Sequence, residues 1–239
     1  DFDLIISCGR KSVIPSIHLK NCLEKKVINI HIQDPKVNFN NFDLIVAPEH
    51  DSIDGQNVIT TKGAIHYLTE SEIIKNKDYL NSFIKKDDRK ICALIMGGPT
   101  KYYDYSSSNM KNIFSPLREF VNKNDLQLVV IPSMRTPKAS IDYASEWFGK
   151  NHTIIYDVDK KAYLSALAIS KNIIVTCDSS SMISEAALTG KPIYIANIIP
   201  RKNDKRFLKF RNLFKELNII RNLGEKDENW NYIKLDETN

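Results

Sequence analysis

The stretch best equipped for chemistry is Cys177-Asp178-Ser179-Ser180-Ser181-Met182-Ile183-Ser184-Glu185, which follows the β-branched run Ile173 to Cys177. The pattern predicts a strand, a polar turn and a helix over Ser180 to Thr189, capped by Asp178 or a neighbouring serine. Unpaired amides and the positive dipole end at such a start attract phosphate. Glu185 falls early in that helix, where a carboxylate can accept from ribose hydroxyls; a buried or capping-box glutamate gives the same pattern. Gly190 suits a left-handed helix end, and Pro192 blocks further helix. Alone, the serines read equally well as an ordinary cap.

Two more turns have suitable residue types. Gly97-Gly98-Pro99-Thr100 follows Ile91 to Met96, and paired glycines after a strand permit close backbone approach and an anion-binding nest. Neither GxxxxGK[ST] nor GxGxxG is present, so a plain βα turn competes with this reading. Arg135, in Pro132-Ser133-Met134-Arg135-Thr136-Pro137, lies just past the strand Leu126 to Ile131. Open α/β sheets collect ligands there, and a guanidinium can grip a diphosphate on two oxygens. Asp157-Val158-Asp159 has the form of a metal-binding DxD. Lys160 and Lys161 follow it directly, and Asp159 fits the N-cap of a helix over Lys161 to Ser170. The dispersed histidines show no HExxH spacing, and no GxSxG elbow occurs. His31 and Asp34 are candidate bases that the sequence gives no geometry to choose between, so the catalytic residue is unassigned. Gly9-Arg10-Lys11-Ser12 closes the first strand, and Gly9 and Arg10 are the candidates for an acceptor-side cleft.

The elements that must position these turns alternate between short apolar strands and longer periodic stretches, as parallel α/β units do. Strands are expected at Leu4 to Cys8, Val27 to Ile32, Leu44 to Ala47 and Val58 to Thr61, with a helix over Val13 to Leu23 and another over Glu70 to Lys86. The charged run Lys85 to Lys90 places a domain boundary after residue 86, giving domains 1–86 and 87–239. The second series has helices at Met110 to Asn122, Ile141 to Phe148 and Phe207 to Leu217, and strands at Thr153 to Tyr156 and Ile193 to Ala196. The tail is weakly specified.

Of the 239 residues, 42% are hydrophobic and 26% charged, enough for substantial cores and too apolar for wholesale disorder. A net charge of +5 suits phosphate ligands or an anionic membrane surface but falls short of a nucleic-acid footprint. The densest basic stretch, Arg201 to Arg211, interleaves six cations with Phe207, Leu208 and Phe210. It reads as a solvated helix face, with contact to anionic lipid head groups as the alternative. Cys8, Cys22, Cys92 and Cys177 form no CxxC pair, which argues against zinc and favours a reducing compartment. With no signal peptide and no spanning apolar run, a cytoplasmic location is expected. Because Asp1 stands close to a strand, a preceding segment is expected as well.

Taken together, "DLIISCGRKSVIPSIHLK", "VINIHIQDP", "FDLIVAPEHD", "GGPTKYY", "PSMRTP" and "TCDSSSMISEAALTGKPIYI" resemble the bacterial branch of the elongated-mitochondria type mitochondrial-fission family, over about Phe2 to Leu223. That family is similar to two-domain glycosyltransferases of the GT-B kind. The resemblance implies two Rossmann-like domains facing a cleft, the N-terminal one incomplete. It implies a metal-independent protein that binds a nucleoside-diphosphate sugar, needs no cofactor and is able to rest against a membrane. Gly97, Gly98 and Thr100 would approach the donor diphosphate; Ser179, Ser180, Ser181 and Met182 would offer amides, Glu185 would hold ribose and Arg135 would add positive charge. The serine turn is one residue shorter than in the cell-wall enzymes, and the acceptor-side base has no match. A non-catalytic membrane-associated scaffold and a nucleotide-sugar epimerase are the alternatives.

Overall fold

The computed structural model describes residues 2–23, 26–225 and 230–237, which fall into two compact units, Asp1–Ile65 and His66–Asn239. Asp1 itself lies outside the described residues. In the smaller unit, β1 (Leu4–Cys8), β2 (Ile28–Ile32), β3 (Leu44–Pro48) and β4 (Val58–Thr61) form a parallel sheet in the order β1-β2-β3-β4. Gly9, at φ +78°, takes the turn out of β1, where a Cβ would be strained, and its amide donates to Ile32 O. The helix α1 (Val13–Cys22) buries Val13, which shares a core with Phe42, Ile45 and Ala47. On the opposite sheet face Leu4, Ile6, Ile28 and Ile59 are 45, 62, 51 and 54% exposed.

The larger unit contains α2 (Glu70–Lys75), β5 (Lys90–Met96), α3 (Ser107–Lys123), β6 (Leu126–Pro132), α4 (Lys138–Phe148), β7 (Thr153–Ile154), α5 (Lys160–Ile169), β8 (Asn172–Thr176), α6 (Ser180–Ala187), β9 (Ile193–Ala196), α7 (Lys205–Glu216) and β10 (Ile220–Asn222). Its six strands are parallel, in the order β10-β9-β8-β5-β6-β7. Residues of β6, β8 and β9 are buried throughout, the signature of a sheet covered on both faces. The chain starts this unit's sheet near the middle, winds outward through β6 and β7, then returns to lay β8, β9 and β10 on the other side. That is a doubly wound Rossmann-like arrangement.

Several elements differ from the sequence expectation. The compact units divide between residues 65 and 66, whereas the charged run pointed to 86. Residues 66–86 pack on the larger unit: the Leu80 amide donates to Ser165 Oγ, the Tyr79 hydroxyl to Asp159, and the Lys85 amide to Gln127 Oε1. A single helix over Glu70 to Lys86 does not form. Asn76 ends α2 by returning its amide to Ile73 and Ile74 carbonyls and its side chain to Glu72 O, leaving a 3-10 turn at Tyr79–Ser82. The strand at Thr153 stops at Ile154, and the tail contributes the short edge strand β10.

Candidate functional site

The strand order makes β5 and β8 neighbours at the point where the winding reverses. In open α/β sheets the crevice outside the carboxyl ends of such strands is where ligands bind. Gly97-Gly98 follows β5, and Asp178-Ser179-Ser180 follows β8, so both turns picked out from the sequence meet there. Their junction is direct: the Gly98 amide donates to Asp178 Oδ2 at 3.0 Å, and the Gly97 amide donates to Thr176 Oγ1 at 2.8 Å.

Asp178 organises this junction. Its side chain is wholly buried, a position a carboxylate holds only when its oxygens are satisfied. Oδ2 also accepts from the Arg135 guanidinium at 3.0 Å, and Oδ1 lies 2.6 Å from the Tyr105 hydroxyl. Burial, and after it the Asp178 charge, pushes the Tyr105 phenol far up, so it stays a donor. A second Arg135 nitrogen donates to Gly98 O at 3.0 Å.

This geometry bears on the expected roles of four residues. A Cβ on Gly97 would stand 2.1 Å from Asp178 Oδ2, and one on Gly98 would stand 2.1 Å from Arg135 O. The glycines make room for the protein's own carboxylate and backbone, and both amides are already used. Arg135, 43% exposed, is charge-paired with Asp178 and is not a lone cation. Thr100 ties its own loop, accepting from the Tyr102 and Tyr103 amides, with its amide donating to Tyr103 O.

The cap of α6 is Ser179, whose Oγ accepts from the Met182 amide at 3.4 Å. Ser180 and Ser181 fall in the first turn, whose amides no earlier carbonyl of the helix can satisfy. Ser181 is exposed and Met182 half-buried. Glu185, further along α6, is half-buried; burial raises its pKa, against the lowering effects of the Tyr163 hydroxyl on Oε2 and of nearby His66. One of its oxygens is therefore engaged within the fold.

The remaining candidates belong to other elements. Asp159 caps α5, accepting from the Lys161 and Ala162 amides on Oδ1 and from Tyr79 on Oδ2. Among the described residues, no group of three or more His, Cys, Asp or Glu is arranged to hold a metal ion. His31 is fully buried, with Nδ1 2.7 Å from Ser7 Oγ, so it does not reach solvent as a base would. Asp34 pairs with Lys36. Gly9 and the exposed Arg10 belong to the smaller unit, at the carboxyl end of the edge strand β1. The sequence reading missed Tyr105, Thr176 and Tyr163. Thr176 and Tyr163 each had the signal of a hydroxyl between apolar neighbours, whereas Tyr105, between Asp104 and Ser106, had none.

The family model for mitochondrial fission ELM1 matches residues 2–239. The chain belongs to that family. The mitochondrial fission protein ELM1 of Arabidopsis thaliana is 22% identical over 98% of this chain and 61% of its own length. The uncharacterized protein RP120 of Rickettsia prowazekii is 27% identical over 81% of this chain and 64% of its own length. The chain thus spans about three fifths of these family relatives. Among solved structures it is similar to the UDP-GlcNAc 2-epimerase of Methanocaldococcus jannaschii, at TM-score 0.54 and 14% identity over 96% of this chain and 72% of that one. The UDP co-structure of S. aureus MnaA gives TM-score 0.56 at 15% identity, covering 92% of this chain and 61% of that one. Acinetobacter baumannii MurG gives TM-score 0.50 at 13% identity, over 94% and 61%. At these identities the likeness is one of fold, the Rossmann-like α/β fold of GT-B enzymes.

Proposed function

We propose that this chain is the nucleotide-sugar-binding part of a metal-independent, glycosyltransferase-like protein. In this reading a nucleoside-diphosphate sugar lies at the carboxyl edge of the larger sheet, and its sugar passes to a membrane-associated acceptor on the cytoplasmic side. The observation that carries the proposal is the junction of the β5 and β8 turns at the winding reversal, with the first turn of α6 beside it. That solved relatives of the fold were captured with UDP or UDP-GlcNAc supports the ligand class.

The chemistry follows from the charges. In transfer, the acceptor oxygen loses its proton and bonds to the anomeric carbon as the bond to the diphosphate oxygen breaks. Negative charge grows on the leaving diphosphate. Fixed amides at Ser180 and Ser181, the α6 dipole and the outer edge of Arg135 stabilise that charge without a cation. Glu185 keeps one oxygen for the ribose hydroxyls while Tyr163 orients the other.

The test is a thermal melt with UDP in EDTA. A ligand at a hundredfold excess over its Kd adds about 2.7 kcal/mol, which moves the melt of a unit this size by roughly 5–10 °C. No shift with any nucleoside diphosphate overturns the proposal. Free sugar isomers of the donor formed without an acceptor, read by NMR, would replace transfer with epimerisation at the same site.

A further inference from the structure

Residues 199–209 carry a formal net charge of +4, against +5 for the whole chain. They hold Arg201, Lys202, Lys205, Arg206 and Lys209 against the single acid Asp204. That acid is already bound to Arg211 and Tyr103, and the neighbouring Asp104 is bound to Arg201. Between the cations stand two aliphatic side chains turned to solvent, Ile199 at 70% and Leu208 at 47% exposure.

The surface is rigidly mounted. Phe210 and Phe214 anchor the inner face of α7 in the core, Phe207 meets the Tyr102 and Tyr103 rings, and the Arg201 amide donates to Tyr102 O at 2.7 Å. Arg211 reaches back to the Tyr103 hydroxyl and toward Cys177 O, at the end of β8. The cationic patch is thereby fixed to the same loops that carry the Gly97-Gly98 turn and Asp178.

We infer that the outer face of α7 and the loop before it form a docking surface for an anionic lipid bilayer. Charge complementarity supplies the attraction, about one lysine or arginine at a time. Ile199 and Leu208, useless against a polyanion in water, enter the head-group layer beneath the cations. With its aromatic residues turned inward, this face offers no stacking platform for bases, which separates it from a single-stranded nucleic-acid groove. The inference extends the proposed function by holding the donor turns beside a lipid surface, yet it does not depend on nucleotide binding.

The experiment is co-sedimentation of the chain, without nucleotide, with vesicles of phosphatidylcholine alone or with about one third phosphatidylglycerol. Binding is expected to the anionic vesicles only, and to weaken steeply with added salt. Lys202→Ala with Lys205→Ala should lower the partition coefficient about 30-fold. Ile199→Ser with Leu208→Ser should lower it several-fold at unchanged charge, with both variants keeping the wild-type melt. Equal binding to neutral vesicles, no binding to either, indifference to both double variants, or preferential capture by polyuridylate over anionic vesicles overturns the inference. Loss of nucleotide binding in a protein that still sediments with anionic vesicles would refute the transferase reading and leave the docking surface standing.

Discussion

Replacing Gly97 with alanine should unfold the junction that holds the site. The new Cβ would stand 2.1 Å from Asp178 Oδ2 and 2.7 Å from Cγ, so the carboxylate must move. It has nowhere to go: it is wholly buried and held by Arg135 at 3.0 Å, Tyr105 at 2.6 Å and the Gly98 amide at 3.0 Å. Pushing it out of that position sacrifices charge-assisted hydrogen bonds worth about 1.5–3 kcal/mol each and leaves a buried charge uncompensated, for a net loss of about 3–5 kcal/mol. At roughly 2–4 °C per kcal/mol in a unit of this size, the melt should fall by about 6–20 °C. Both tryptophans, Trp147 and Trp230, belong to the larger unit, so their fluorescence follows its unfolding directly. The decisive arm is a double-mutant cycle. Asp178→Ala costs several kcal/mol by itself, but it removes the atoms that the new Cβ strikes. Gly97→Ala added to Asp178→Ala should then cost almost nothing further. If Gly97→Ala costs under about 1 kcal/mol, or if the two losses simply add, the packing argument fails.

Three further outcomes follow from the same geometry. Gly98→Ala should destabilise as strongly as Gly97→Ala, and Asp178→Ala should not rescue it, because its Cβ meets the Arg135 backbone and not the carboxylate; tryptophan-monitored urea unfolding reads both. His152 is buried with Nδ1 accepting from the Leu128 amide, and burial, with Arg89 next in effect, lowers its pKa to about 4. Its folded value lies below the unfolded one, so its contribution is complete above pH 6.5 and is lost as pH falls toward 4, by up to about 3 kcal/mol; urea midpoints of wild type and His152→Asn should converge across that window, and parallel curves would refute this. Tyr163→Phe removes the donor to Glu185 Oε2 in a half-buried setting, which should cost about 1–2 kcal/mol and raise the Glu185 pKa further, read by urea unfolding and by carboxyl titration in NMR.

The architecture was legible wherever a continuous apolar run met a turn. Ile91 to Met96, Leu126 to Ile131, Ile173 to Cys177 and Ile193 to Ala196 all became buried parallel strands within a residue or so, since burial on both faces leaves a nearly uninterrupted apolar signature. Local rules failed where tertiary contacts decided the outcome. The stretch Glu70 to Lys86 has helical composition, yet Asn76 closes it early, and contacts with Ser165, Asp159 and Gln127 assign it to the larger unit. Strand β10 owes its existence to pairing with β9 and has little apolar pattern of its own. In the candidate site, sequence picked out the two turns that meet but not the contacts within them. Paired glycines look identical whether they admit a phosphate or a carboxylate from 80 residues away. Of the two caps the sequence offered, Asp178 or a neighbouring serine, Ser179 takes the role and frees Asp178 for the glycine turn.

Strand order explains where in the larger unit the candidate site sits. In the smaller sheet the strands advance in one direction, β1 to β4, and right-handed crossovers then place every connection on the same face. That face holds α1 and the Val13 core, while Leu4, Ile6, Ile28 and Ile59 remain exposed on the other. Among the described strands of that sheet the advance is uniform, without the reversal that the larger sheet makes between β5 and β8. Gly9 and Arg10 follow β1, the first strand in that order. In the larger sheet the connections after β5 and β8 diverge, and the gap they leave is bridged by Asp178 reaching the Gly98 amide. The residues able to face a diphosphate are consequently those at the rim of that bridge, Ser180, Ser181 and the outer edge of Arg135, with the glycines beneath them serving as floor.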